Sequence, residues 1–298
     1  MKLKYSKEGI SLKKLFPVMY AVTVLLVVIR TFQLTRYIDS ETGFLTGGEA
    51  LYAVFLVIVV AVALFFAVAS YLSSESKSIE LVGLEDKGCG IAAAVFAVSL
   101  AYDSFSSIAD SFVIFDKVPA SAFDHGAELF KTLMATGALP YALQSLFAII
   151  SAVYLFVLAK SFLKGSQRAH NRKYIALAPV AWAAFKIITR FVKQISYIRV
   201  SDLFLELIML AFMILFFVAL AQTVSGVYCD DSRWRITGLG LTGAFLSLGI
   251  NIPRLVLTVF ANDFVNKEYP FNPADTAFAV FAIFVAVAAV KSSKKALD

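Results

Sequence analysis

Eight blocks of apolar residues, near 17–35, 50–72, 90–115, 139–160, 174–198, 202–226, 236–260 and 274–291, leave this chain few ways to fold. Each is long enough for a helix to cross a ~30 Å hydrocarbon core. In lipid every backbone amide and carbonyl needs an internal partner, so such blocks become helices. They fill most of the 298 residues and leave no room for a separate soluble domain. The sequence therefore predicts an all-α, polytopic integral membrane protein, with eight transmembrane helices in a single membrane domain over 1–298. Composition agrees: 16% of residues are charged, whereas a soluble domain carries about a quarter.

The net charge of +6 is unevenly spread. Lys2, Lys4, Lys7, Lys13 and Lys14 precede the first helix, Lys160, Lys164, Arg168, Arg172 and Lys173 cluster around the fourth connection, and Lys291, Lys294 and Lys295 lie at the C-terminal end. The opposite side has only Arg36, Lys117, Lys131, Arg199 and Lys267. This bias places both termini in the cytoplasm of a cell-membrane protein. The basic excess is thus a topology signal. The lipid bilayer is the expected partner, and nucleic acid is not. Residues 1–16 read as a basic juxtamembrane segment on the inner leaflet, not as a signal peptide. In the connection 116–138, apolar and polar residues alternate at helical spacing, which predicts an amphipathic helix on the outer surface.

Cys89 and Cys229 both fall on the predicted cytoplasmic side, so no disulfide framework is implied. With His170 they could ligate a metal, but no CxxC or HxxxH spacing supports it, and no cofactor or metal is expected. Neither histidine lies in a helix core, and no nucleophile motif is present. Asp103 and Asp110 stand two helical turns apart, too far to share a proton. The chain is not expected to be an enzyme.

What remains is charge inside the apolar blocks. In Trp182–Ile198 the cations Lys186, Arg190 and Lys193 recur at i, i+4 and i+7 and share one helical face. Lys186 lies ~16 Å along the helix from Ile175, near the middle of the bilayer. Such charge at that depth must face protein or water. Ser99, Asp103, Ser106 and Asp110 form a polar stripe on the third helix, and Ser247, Asn251, Arg254 and Thr258 form one on the seventh. Pro253 marks the seventh as a candidate broken helix. Arg30 and Gln33 lie late in the first helix, and Glu206 early in the sixth. By the predicted directions most of these charges fall in the outer half of the membrane. Arg30, Lys193 and Arg254 are also near enough to the interface to snorkel to headgroups.

The two stripes share one spacing, and Arg30, Gln33 and Tyr37 match Arg190, Lys193 and Tyr197. This suggests a parallel 4+4 internal repeat, with 1–160 as the first four-helix copy and 174–291 as the second. Helices 1, 3, 5 and 7 carry nearly all the intramembrane polar residues, so they are expected to line a polar interior, with the even helices as a rim. Five interior cations face three anions (Asp103, Asp110 and Glu206).

Two functional readings follow. The first is a permease for a small anionic or zwitterionic solute, with an outward-facing polar cavity built from Arg30, Asp103, Asp110, Lys186, Arg190, Lys193, Glu206, Asn251 and Arg254. In it, Arg190 and Arg254 clamp the anion, and Lys186 pairs with Asp103. The second is a non-transporting sensor, or a membrane-embedded subunit, in which the same charges form a structural ion-pair network. Nothing in the sequence specifies an oligomeric state.

Overall fold

A computed structural model describes residues 11–37, 47–73, 79, 81, 84–119, 123, 126–166, 172–192, 200–227, 231–260 and 270–295. These form α1 (Leu15–Arg36), α2 (Glu49–Tyr71), α3 (Lys87–Phe115), α4 (Gly126–Thr136), α5 (Ala138–Lys164), α6 (Ala178–Val192), α7 (Val200–Val224), α8 (Ser232–Phe260) and α9 (Pro273–Lys295). No strand occurs among the described residues. All but α4 supply a stretch long and apolar enough to cross a bilayer, for α6 together with the 3₁₀ turn before it. The chain is a multi-pass membrane protein.

Local chemistry sets several helix ends. The Asp86 side chain caps α3 by accepting from the Cys89 amide at 3.0 Å. Asn272 caps α9 through the Ala274 amide at 2.8 Å, with Pro273 in the first turn. Helix α5 is bounded by Gly137 at φ 92° and Gly165 at φ 61°, a backbone region that suits glycine. In α4 no residue is buried against the protein. Phe130 and Met134 lie exposed among polar neighbours, as suits a helix lying at a membrane surface.

Side-chain contacts fix the directions of the spans. Ser104 meets Ser145, and Ser111 meets Ala138, so α3 and α5 are antiparallel. Cys89 meets Phe284, and Asp103 meets Asn272, so α3 and α9 are antiparallel too. By the same argument α1, α3, α6 and α8 run one way and α2, α5, α7 and α9 the other. Helices α3, α5, α8 and α9 form the centre, with α6 and α7 closing one side and α1 and α2 laid against α8.

Burial is not divided between odd and even spans. The eighth span, α9, is the most enclosed, with 72% of its apolar window buried, whereas α1 has 28% and α2 22%. Small residues explain the exchange. Ala274, Ala277, Ala279, Ala282, Ala286 and Ala289 let neighbouring helices approach α9 closely. The expected break at Pro253 is also absent, because α8 is one continuous helix through it. Against the repeat, α3 packs along α5 as α8 packs along α9, but α6 and α7 have no seat on α3 comparable to that of α1 and α2 on α8.

The seat of α2 on α8 depends on Gly238. A Cβ there would lie 2.8 Å from Ser70 Cβ, and Ser70 is fully buried. Gly238→Ala is expected to destabilise the protein by about 1–3 kcal/mol through overpacking. Ser70→Gly in the same chain should return most of the loss in thermal unfolding.

Candidate functional site: a buried charge cluster in one half of the bundle

The interior has two unlike halves. Toward the ends where α1, α3, α6 and α8 begin, it is closed by rings. Phe96 stacks on Phe217 and Phe281, meets Trp182 and Phe278 edge-on, and all five are buried. Toward the ends where those four helices finish lie the buried charges among the described residues, apart from Arg233 at the start of α8. The helix directions put them there: Asp103 follows Phe96 on α3, Lys186 follows Trp182 on α6, and Asp275 precedes Phe278 on α9.

Asp103 is held by three donors. Trp182 Nε1 donates to it at 2.9 Å, Asn272 Nδ2 at 2.9 Å and Gln144 Nε2 at 3.2 Å. Gln144 also donates to Ser107 at 3.0 Å and accepts from Thr189 at 2.9 Å. One amide on α5 thus ties α3 to α6. The expected Lys186–Asp103 pair does not form. Lys186 Nζ bonds Asp275 at 2.5 Å, with both side chains 2% exposed, and lies 5.1 Å from the Trp182 ring centroid. Lys186 and Asp103 nevertheless point into the same interior, both meeting Trp182.

Arg190 does not stand ready for a solute. Its Nη2 and Nε contact Glu206 Oε1 at 2.7 and 2.9 Å. Arg254 approaches the other oxygen of Glu206 at 3.8 Å. Arg30 is buried, with Nη1 donating to Gln33 at 3.3 Å and its guanidinium 5.3 Å from the Phe55 ring and 5.8 Å from Tyr52. Asn251 Oδ1 accepts from the Asn272 amide at 3.4 Å, and its side chain donates to the Ser247 carbonyl. Arg30 and Arg254 line one crevice together with Leu26, Phe55, Leu205 and Ile250.

Of the residues expected in the site, Asp103, Lys186, Arg190, Glu206, Asn251 and Arg254 gather in this half, and Arg30 joins them across the crevice. Asp110 does not: it is exposed on α3 with Ser106, while Ser104 and Ser107 take the inward positions. The inward line of α3 is Leu100, Asp103, Ser104 and Ser107, about one helical position away from the predicted stripe on either side of Asp103. Lys193 lies outside the described residues.

Asp275 and Asn272 carried no sequence signal of depth. An acid in the first turn of a helix is ordinarily a surface feature that suits the helix dipole. Asp275 is buried because α9 begins low: Asn272 meets Asn251, which precedes the end of α8 by nine residues, or ~13 Å of helix. Among the described residues no group of three or more His, Cys, Asp or Glu side chains could hold a metal ion. No protein-family model, curated protein or solved structure matches this chain.

Proposed function

We propose that the protein is a permease for a small anionic or zwitterionic solute, reached from the side of the bilayer where α1, α3, α6 and α8 end. One observation carries this reading: Arg30, Asp103, Lys186, Arg190, Glu206, Arg254 and Asp275 collect in one half of the interior, above a seal of packed aromatic rings. Charge in a membrane is expensive, and a fold needing only stability would fill this half as it fills the other. The pairs Lys186–Asp275 and Arg190–Glu206 are then contacts that a solute exchanges with during passage. The lysine distribution puts both termini in the cytoplasm of the cell membrane, so the charged half faces outward. The protein acts without catalysis or a cofactor. Motion of one four-helix half on the other is part of the proposal. It is supported by the matched α3–α5 and α8–α9 pairs and opposed by the unmatched seat of α1 and α2.

The second reading, a structural ion-pair network in a sensor or subunit, is favoured by the direct pairing of Lys186 with Asp275 and of Arg190 with Glu206. Thiol labelling separates the two. Cys89 and Cys229 are first replaced by Ser, and single cysteines are placed at Ile250, Asn251 and Thr276. A permease exposes these to a charged, membrane-impermeant thiol reagent, while cysteines at Phe245 and Phe281 stay unreactive until unfolding. Equal resistance at all five positions in the folded protein would remove the permease reading.

A further inference from the structure

The outward side of α3 carries hydroxyls at a depth where lipid offers them no partner. Tyr102 is 61% exposed and Ser106 is exposed beside it, whereas Asp103 and Ser104 face the bundle. In α3 (Lys87–Phe115) Tyr102 stands about 20 Å of helix from either end, close to the middle of a ~30 Å hydrocarbon core. A tyrosine side chain does not reach the headgroups from there, and a polar group in hydrocarbon is costly without a partner. We infer that a second copy of the chain packs on this face, α3 against α3. The inference goes beyond the permease reading and stands without it.

Spacing and side-chain size describe the contact. Val95, Ser99, Tyr102, Ser106, Ala109 and Val113 recur at alternating steps of four and three. That is the ~3.5-residue period of two helices that coil left-handed around each other. All six are exposed except Ser99, which is half-buried. On its other sides α3 packs against α5 and α9. Ser99, Ser106 and Ala109 are small enough for two backbones to come close, with room between them for the Tyr102 ring.

The chemistry of the seam selects a second copy. Ser99 donates to the Val95 carbonyl of its own helix at 3.0 Å, so Tyr102 and Ser106 choose the occupant. A hydroxyl both donates and accepts, so a face of hydroxyls is complementary to itself, as a face of like charges is not. The inward side of α3 already makes such a pair, where the Ser104 and Ser145 hydroxyls meet at 2.7 Å. Two copies inserted the same way are related by a two-fold axis along the membrane normal, which sets Ser106 opposite Ser106 and Tyr102 beside Tyr102 at equal depth. Asp110 falls one step off the seam, so the axis does not set carboxylate against carboxylate. A helix of another protein would have to match both depth and spacing independently.

The test uses the full chain in membranes, with Cys89 and Cys229 replaced by Ser. Under copper phenanthroline, Ser99→Cys, Ser106→Cys and Ala109→Cys should each give a disulfide-linked dimer. Ile108→Cys, exposed on α3 but off the seam, and Val57→Cys, exposed on α2, should not. In liposomes, energy transfer between copies labelled at the C-terminus follows dimerisation as the protein-to-lipid ratio is varied. Ser106→Phe should raise the ratio at half-dimerisation by about tenfold or more. Tyr102→Phe, which removes only the hydroxyl, should raise it severalfold. Both positions are exposed in the single chain, so unfolding in detergent should match the parent and show that each variant folds. Cross-linking as strong at Ile108 and Val57 as on the seam, an unchanged midpoint in either variant, or monomers at every ratio would overturn the inference. A cross-link from Ser106→Cys to a different protein without the self-dimer would overturn the second copy as occupant.

Discussion

Asp275→Ala should lower the stability of the protein by about 3–5 kcal/mol, as read by unfolding in detergent, because it leaves an ammonium uncompensated in the interior. Lys186 is 2% exposed, and its partner is 2.5 Å away. The neighbouring Asp103 is already held by Trp182, Asn272 and Gln144, so turning it toward Lys186 would disturb bonds that it makes now. The pair as a whole is a different matter. Desolvating two charges offsets most of their attraction, so the double change Lys186→Met with Asp275→Leu, which keeps volume and removes both charges, should fall within about 1 kcal/mol of the parent. The two single changes and the double one form a cycle whose interaction energy isolates the pair. The cycle also bears on function. A stable double variant that no longer carries solute means the charges are kept for transport, and one that behaves like the parent means they are structural. An Asp275→Ala protein as stable as the parent would show that Lys186 has another acceptor within reach.

The membrane class, the number of candidate spans and their alternation were legible in the sequence because each rests on a large, additive signal. A block such as Ala50–Leu72 has no polar side chain other than Ser70 and the tyrosine hydroxyls, and only lipid or a protein core accepts that. The cations Lys186 and Arg190 were legible for the same reason, as exceptions in such a block. Which helix would be central was not. Polarity suggested α1 over α9, but close approach is decided by side-chain size, and the alanines of α9 outweighed its scarcity of polar residues after Thr276. Partners were less legible still. Asp103 and Lys186 are near neighbours in the bundle, yet the ammonium bonds Asp275, whose depth follows from where α9 starts. That level is a tertiary fact with no local signature. The error over Asp110 has a simpler origin: spacing at i, i+4, i+7 and i+11 defines a stripe but leaves its facing open by one side chain, and α3 turns Ser104 and Ser107 inward in place of Ser106 and Asp110.

Glu206 is where the largest single loss is expected. It is 1% exposed and meets two guanidiniums, through Oε1 at 2.7 Å to Arg190 and Oε2 at 3.8 Å to Arg254. Removing its charge takes away the carboxylate that both guanidiniums contact. Glu206→Gln is nearly isosteric, so the change tests charge with little effect on shape. It should destabilise by about 3–5 kcal/mol, at or above the effect of losing Asp275, since Glu206 is the contact of two guanidiniums and not of one cation. The distances also predict how the loss is repaired. Arg190 makes the shorter, two-point contact with Nη2 and Nε on one oxygen, so it depends on Glu206 more than Arg254 does. Adding Arg190→Met to Glu206→Gln should therefore recover more stability than adding Arg254→Met. If the Arg254 change recovered more, the longer contact would be the dominant one.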